Sequence, residues 1–328
     1  MATLSIEAIH QAAHRLKGHA LRTPLLCNPQ LDQRTGARVF IKAENLQHVG
    51  AFKFRGAYNR LCQLDERQRQ RGVVAFSSGN HAQGVALAAR LLNMPAIIVM
   101  PSDAPRVKIE GTRLYGAEIR LYDRNTESRE AISAEIAAQT GRVIVPAFDD
   151  LDIMAGQGTC GLEIVEQMQE LGLTPDIVLV PCGGGGLMAG VSTAILDSFP
   201  EARMVGVEPA GFDDHRLSRQ TGERVRLDQP ADNLCDSLLA PMPGELTWAV
   251  NQRTVDSFLT VTQDQVRHGV SFAFRFLKLV IEPGGVVGLA AALQQLLPLQ
   301  GRNVVVVASG GNIDGPLFCE CLQSYPSP

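Results

Sequence analysis

The sequence predicts an α/β protein built as two open parallel-sheet lobes with helices on both faces, the smaller lobe inserted in the larger. Three observations predict it. Strand-like apolar runs alternate with helix-like stretches along most of the chain. Several of those runs, such as "DIVLVPC" and "NVVVVASGG", are nearly continuous in branched aliphatic residues, as strands buried on both faces are. Polar or glycine-rich clusters then follow the strands, where open parallel sheets bind ligands. In order, "MATLSIEAIHQAAHRL" has the spacing of an amphipathic helix, and "DERQRQRGV" that of a solvated helix end. "VVAFSS" (73–78) opens a strand–helix series through "HAQGVALAARLLN", "AIIVMP", "PRVKIEGTRLYG", "EIRLYD" and "ESREAISAEIAAQTG" to "VIVPAF". A second series runs from "DIVLVPC" (176–182) through "LMAGVSTAILDSF" and "RMVGVEP" to "NVVVVASGG" (303–311). The expected division is a large domain of residues 1–66 and 150–328 and a small domain of 67–149.

Bulk composition narrows the class. The 328 residues are 45% hydrophobic and 20% charged, with a net charge of −4. No Lys/Arg cluster rises above a helix face, so no nucleic-acid partner is expected. No apolar run reaches the roughly 18 residues of a membrane span, and the N-terminus lacks the apolar core of a signal peptide. Seven scattered cysteines without a C-x-x-C pair fit reduced thiols in a cytoplasm.

One stretch raises a chemical question: "ENLQHVGAFKFRGAYNRL" (44–61) sets Lys53 between Phe52 and Phe54. Apolar neighbours favour a neutral, nucleophilic amine, the form a Schiff-base lysine needs. The alternative is a strand whose lysine points to water while its phenylalanines point inward. The stretch alone does not decide between them.

Three clusters sit at strand ends. "SSGNHAQG" (77–84) gathers Ser77, Ser78, Asn80 and His81 around Gly79 at a helix start. A helix N-cap explains one such residue, not four. In "PCGGGGLMAG" (181–190), four glycines between strand and helix present backbone N–H groups to a phosphate. Gly184, Gly186 and Ala189 also satisfy G-x-G-x-x-A, and Glu208 follows at the end of the next strand, which keeps an NAD-binding reading of the 184–189 loop open. In "ASGGN" (308–312), Ser309 either caps a helix or faces a ligand ring. No Walker-type loop is present, and Ser78 and Ser309 lack the glycine of a hydrolase elbow.

Taken in order, "GAFKFRGA", "SSGNHAQG", "AGQGT" (155–159), "GGGGL", "IEPGG" (281–285) and "ASGGN" resemble the fold-type II pyridoxal-phosphate enzymes, tryptophan synthase β-like in fold. They are most similar to the branch holding serine/threonine dehydratases, serine racemases and 3-hydroxyaspartate dehydratases. The resemblance runs from about Thr23 to Asn312. It implies that Lys53 carries pyridoxal 5'-phosphate, that Phe52 packs on its ring, and that Gly183, Gly184, Gly185, Gly186 and Leu187 hold its phosphate. It further implies that Asn80 bonds the ring hydroxyl and Ser309 the ring nitrogen. Ser77, Asn80 and His81, with Arg129, would bind the substrate carboxylate, and Ser78 would be a second acid/base opposite Lys53. Glu208, the Phe212 carbonyl and Asp214 of "EPAGFDD" would bind Mg²⁺, or Mn²⁺ or Ca²⁺. Without the resemblance, Asp213 and Asp214 read as an acidic turn.

The activity so implied is dehydration of a 3-hydroxy amino acid (L-threonine, L-serine or 3-hydroxyaspartate) to a 2-oxo acid and ammonia, in a homodimer. Serine racemase is the alternative on the same scaffold. Ser309 would leave the ring nitrogen unprotonated and the ring a weaker electron sink, which suits elimination of a β-hydroxyl. Ala51 replaces the serine common in threonine dehydratases and points to the racemase and hydroxyaspartate branch. Ser237 stands where relatives usually have glycine, which bears on the substrate loop. No C-terminal regulatory domain of the biosynthetic threonine dehydratases is expected.

Overall fold

A computed structural model describes residues 3–228 and 233–325. Among the described residues ten strands form two sheets, each with helices on both faces. The larger has the order β1 (Leu25–Cys27), β2 (Arg38–Lys42), β10 (Asn303–Val307), β7 (Ile177–Pro181), β8 (Arg203–Pro209), β9 (Ser257–Val261). Only β1 runs antiparallel to its neighbour. The smaller sheet is wholly parallel, in the order β5 (Glu118–Tyr122), β4 (Ala96–Pro101), β3 (Val73–Phe76), β6 (Val143–Ile144). All four of its strands lie between β2 and β7 in sequence, so the small lobe is inserted in the large one.

The branched aliphatic runs are buried as their composition requires: β4 and β7 are buried along their whole length. "VIVPAF" is shorter as a strand than its pattern suggests. Only Val143 and Ile144 pair with β3, because Pro146 has no N–H to continue the ladder. The freed segment 145–148 turns into the space between the lobes and becomes part of the site.

The phenylalanine–lysine stretch is not a strand. Lys53 is the first residue of a helix, Lys53–Leu61, and period-2 alternation is replaced by a turn at Gly50, whose φ is +68°. Glycines let three helices approach closely beneath it. A side-chain carbon on Gly156 would overlap the backbone of Arg55 and Gly56, and one on Gly190 would overlap Gly158. The "AGQGT" glycines therefore dock the helix Leu151–Glu170 onto Lys53–Leu61 and onto Gly186–Ser198. That contact fixes the Lys53 helix relative to the glycine-rich loop.

Arg55 anchors the same helix in a buried ion network. Its guanidinium donates to Glu44 at 2.8 Å through Nε and Nη2, and to Glu163 at 2.7 and 2.9 Å. Lys42 donates to Glu163 at 2.6 Å and to the Thr23 carbonyl at 2.8 Å. Burial works to raise Glu44, but Arg55 outweighs it and holds the carboxyl below its usual range.

Candidate active site

The carboxyl ends of both sheets meet at one cavity of about 330 Å³. Lys53, Ser77, Ser78, Asn80, His81 and Arg129 all line it. A smaller recess opens from it between Phe52, Lys53, Asn80, Ser309 and Gly183 to Leu187. Every cofactor-facing and substrate-facing residue expected from the sequence thus lies on one of two adjoining pockets.

Lys53 has its Nζ 5.2 Å from the centroid of the Phe52 ring and donates to the Ala147 carbonyl at 2.7 Å. Burial without an anionic partner lowers its pKa to about 8. A substantial share of the amine is therefore neutral near physiological pH, the form a carbonyl-capturing lysine requires.

Within the glycine run Gly185, φ +93°, caps the helix Gly186–Ser198. The run's carbonyls are drawn away from the recess. Thr247 Oγ1 donates to the Gly184 carbonyl at 2.7 Å and Asn251 Nδ2 to that of Gly185 at 3.2 Å. Phe148 lies against Gly184 and Gly186, and a side-chain carbon on Gly184 would run into its ring. Glycine here is a requirement of space and of left-handed backbone together. The outcome is an N–H-lined cradle at a helix N-terminus, suited to a phosphate.

Three other motifs are zipped together behind Lys53. Phe52 donates its N–H to the Ser309 carbonyl at 3.1 Å, Ala51 pairs with Gly310, and Ser309 donates to the Gly285 carbonyl at 3.3 Å. "ASGGN" forms no helix, so Ser309 is not a cap. Nor is Asn80: Gly79 takes the N-cap position and no side chain caps that helix.

His81 differs from its expected part. Its Nε2 lies 3.1 Å from the Val145 carbonyl, which can only accept, so Nδ1 is left an unpartnered acceptor. Burial and then nearby Lys53 lower its pKa to about 3. A neutral ring in this tautomer offers a carboxylate no proton. Arg129 sits at the cavity's outer wall, its guanidinium 5.2 Å from the Phe76 ring centroid and its Nε donating to Glu130 at 2.8 Å. Arg124 lines the same wall, paired with Asp103 at 2.8 Å.

The residues expected to bind a divalent cation lie below the glycine cradle. Glu208 is fully buried and accepts from the backbone N–H of His215 and Arg216, both at 2.9 Å. That placement removes it from any ribose, against the dinucleotide reading. Both Asp214 carboxylate oxygens are buried without a partner, and burial pushes this acid up to about 8. Asp213 instead pairs with Arg216. Among the described residues no group of three or more His, Cys, Asp or Glu forms a metal cage. The orphaned Asp214 oxygens, the neighbouring buried Glu208 carboxylate and a carbonyl such as that of Phe212 do fit a hard cation that keeps water ligands. His215, stacked 5.2 Å from Phe258, packs against Gly185 and so joins this acidic turn to the cradle.

Sequence reasoning missed Phe148, Thr247 and Asn251, and also Lys108 and Asp236, which pair across the lobes. Phe148 had a local signal, since proline broke the strand just before it. The others sit on ordinary helices and turns.

Known proteins agree with this geometry. The family described as pyridoxal-phosphate dependent enzyme matches residues 16–310. An L-threo-3-hydroxyaspartate ammonia-lyase of Pseudomonas sp. is 45% identical over 319 residues, covering 97% of this chain and 98% of the relative. A serine racemase of Schizosaccharomyces pombe is 38% identical, covering 96% of each chain. The solved structure of maize serine racemase superposes with a TM-score of 0.92 at 35% identity, covering 99% of this chain and 98% of that one. With its lysine, glycine cradle and paired lobes in that arrangement, the chain belongs to the fold-type II family of pyridoxal-phosphate dependent enzymes.

Proposed function

We propose that this enzyme is an ammonia-lyase that dehydrates a 3-hydroxy amino acid, with L-threo-3-hydroxyaspartate as the favoured substrate. The observation that carries the lyase reading is the buried, anion-free amine of Lys53 beside the glycine cradle. Arg129 and Arg124 on the outer wall support a substrate with a second carboxylate, which L-threonine and L-serine lack. Relatives named for hydroxyaspartate support the same choice.

Bound pyridoxal phosphate supplies the electron sink that acidifies the substrate α-carbon and lets the β-hydroxyl leave. The chain's own residues do the rest. Gly183 to Leu187 hold the phosphate, Phe52 covers the ring, and Asn80 and Ser309 meet its polar edges. Ser77 orients the α-carboxylate, and Arg129 meets the second one. The Lys53 amine, facing the cavity, would take the α-proton as general base. The β-hydroxyl leaves as water after gaining a proton, and the freed enamine hydrolyses to a 2-oxo acid and ammonia. Residues 67–149 act as the small domain. Glu208, Asp214 and the Phe212 carbonyl hold Mg²⁺ or a similar cation, which would neutralise buried carboxylates under the cradle. A homodimer completes the reading, supported by the half-exposed apolar side chains of Leu21 and Leu46.

The test is a panel of 3-hydroxy amino acids scored for ammonia and for racemised product. Hydroxyaspartate should give the highest kcat/KM, and Arg129→Ala should lower it more than the value for L-serine. Equal losses on both would remove the second-carboxylate argument. Serine racemase remains the second reading because Ser78 lines the cavity together with Lys53. Ser78→Ala should then abolish racemisation and spare dehydration of the L-substrate.

A further inference from the structure

Lys108 is among the largest fully buried side chains, yet it carries a charge and belongs to none of the motifs. It projects from the helix Arg106–Leu114, which follows β4 in the small lobe. Its Nζ donates to Asp236 at 2.7 Å and to Glu282 at 3.0 Å, both residues of the large lobe. Asp236 precedes Ser237, which faces the cavity, and Glu282 is the N-cap of the helix Pro283–Leu293. The other oxygen of Glu282 accepts from Asn80 Nδ2. Asn80 Oδ1 in turn accepts from Asn312 Nδ2 at 2.9 Å, and Asn312 also donates to the Val49 carbonyl at 2.7 Å.

This chain of bonds has only one direction. Lysine has no acceptor, so Glu282 must accept from it. As a carboxylate, Glu282 accepts again from Asn80, which fixes the Asn80 nitrogen toward Glu282 and its oxygen toward Asn312. Asn80 Nδ2 carries two hydrogens. One goes to Glu282 and the other is left for the recess that Asn80 lines. Without a cation beside it, burial would favour a protonated Glu282, which can donate as well as accept. That would break the direction of the chain and release the Asn80 amide to turn. Burial indeed raises Glu282, and Lys108 acts in the opposite sense.

We infer that Lys108 is a positioning residue: by bridging the lobes to Glu282 it locks the Asn80 amide in the orientation that donates to the cofactor's ring hydroxyl. The inference rests on the proposed pyridoxal-phosphate reading of the recess. The bridge also ties that orientation to the placement of the small lobe, since Lys108 reaches Glu282 only while the two lobes meet.

The test uses the full chain with pyridoxal phosphate as probe. Lys108→Met keeps the length of the side chain and removes its charge. Losing one partner of a buried pair can unfold the protein, so Lys108→Met/Glu282→Gln, which removes both charges, is measured beside it. Both variants should still bind pyridoxal phosphate, because Lys53 and the cradle are untouched. Their bound-cofactor absorbance and near-ultraviolet dichroism should shift, and kcat should fall at least tenfold with KM within about threefold. The double variant should regain the wild-type melting temperature without regaining spectrum or kcat. In the apoprotein, the Asn80 side-chain amide signal, assigned with Asn80→Asp, should move in both variants. A folded variant with wild-type spectrum and kcat overturns the inference, as does an unmoved Asn80 amide in the apoprotein. The amide measurement needs no cofactor, so it judges the bridge even if the wild-type chain takes up no pyridoxal phosphate, a result that would instead overturn the proposed function.

Discussion

Lys53 and Lys108 both lie where the two lobes meet, and folding gives them opposite chemistry. Lys53 faces a carbonyl and an aromatic ring, and burial lowers its pKa to about 8. Lys108 faces two carboxylates, which overcome its loss of hydration and raise it above its ordinary value. The difference teaches that burial alone does not make a lysine reactive. The absence of a neighbouring anion does. Arg55, two residues from Lys53, shows the same rule: it gathers Glu44 and Glu163 to itself and leaves none for the lysine.

The largest effect should come from removing the unpaired lysine. Lys53→Ala should lower ammonia release by about 10³-fold or more, within the range a positioned proton-transfer group supplies. It should also remove the cofactor colour that borohydride fixes on the wild-type chain. Retained ammonia release in this variant would end the contrast between the two lysines.

Next comes the anion sink behind it. Arg55→Met should destabilise the fold by about 3–5 kcal/mol, since it leaves the buried Glu44 carboxylate without its cation while Glu163 keeps only Lys42. Denaturant midpoints measure this. A loss under about 1 kcal/mol would show that the network is not what holds the Lys53 helix.

A smaller effect is expected from the cation. Saturating Mg²⁺ at about 100 times its Kd should add about 2.7 kcal/mol to stability by mass action. Glu208→Gln should remove that response and leave the cofactor bound. Identical melting curves with Mg²⁺ and with chelator would reduce Glu208 and Asp214 to an acidic turn.

The smallest effect tests the lysine's proton directly. With a pKa near 8, the amine is neutral in about a tenth of apoprotein molecules at pH 7 and about nine-tenths at pH 9. Neutral amine is the nucleophile, so capture of pyridoxal phosphate should speed up roughly tenfold across that span and then level off. A rate that keeps rising toward pH 10.5 would mean an unperturbed lysine.

Much of the site was legible because its parts are local. The Lys53 stretch, the serine–asparagine cluster and the four glycines are each contiguous, and each sits where a strand gives way to a helix. Their chemistry follows from residue type and neighbours along the chain. The amphipathic N-terminal helix and the buried strands followed from periodicity in the same way. Where a local rule failed, as with the strand reading of Phe52 to Phe54, the competing term was tertiary. Glycine contacts from the helix Leu151–Glu170 favour a helix there.

The sequence by itself therefore determined the α/β class, the order of strands and helices, and the set of residues able to hold a phosphate and a carbonyl. Tertiary structure alone decided the electrostatic state of those residues. Thr247 reaches Gly184 across 63 residues and Lys108 reaches Glu282 across 174, each from a helix with no signature of its own. A pKa or an amide orientation depends on which charges lie within a few ångströms, and periodicity carries no information about partners so distant along the chain. Lys53 is reactive, and Lys108 is not, because the fold placed the carboxylates beside only one of them.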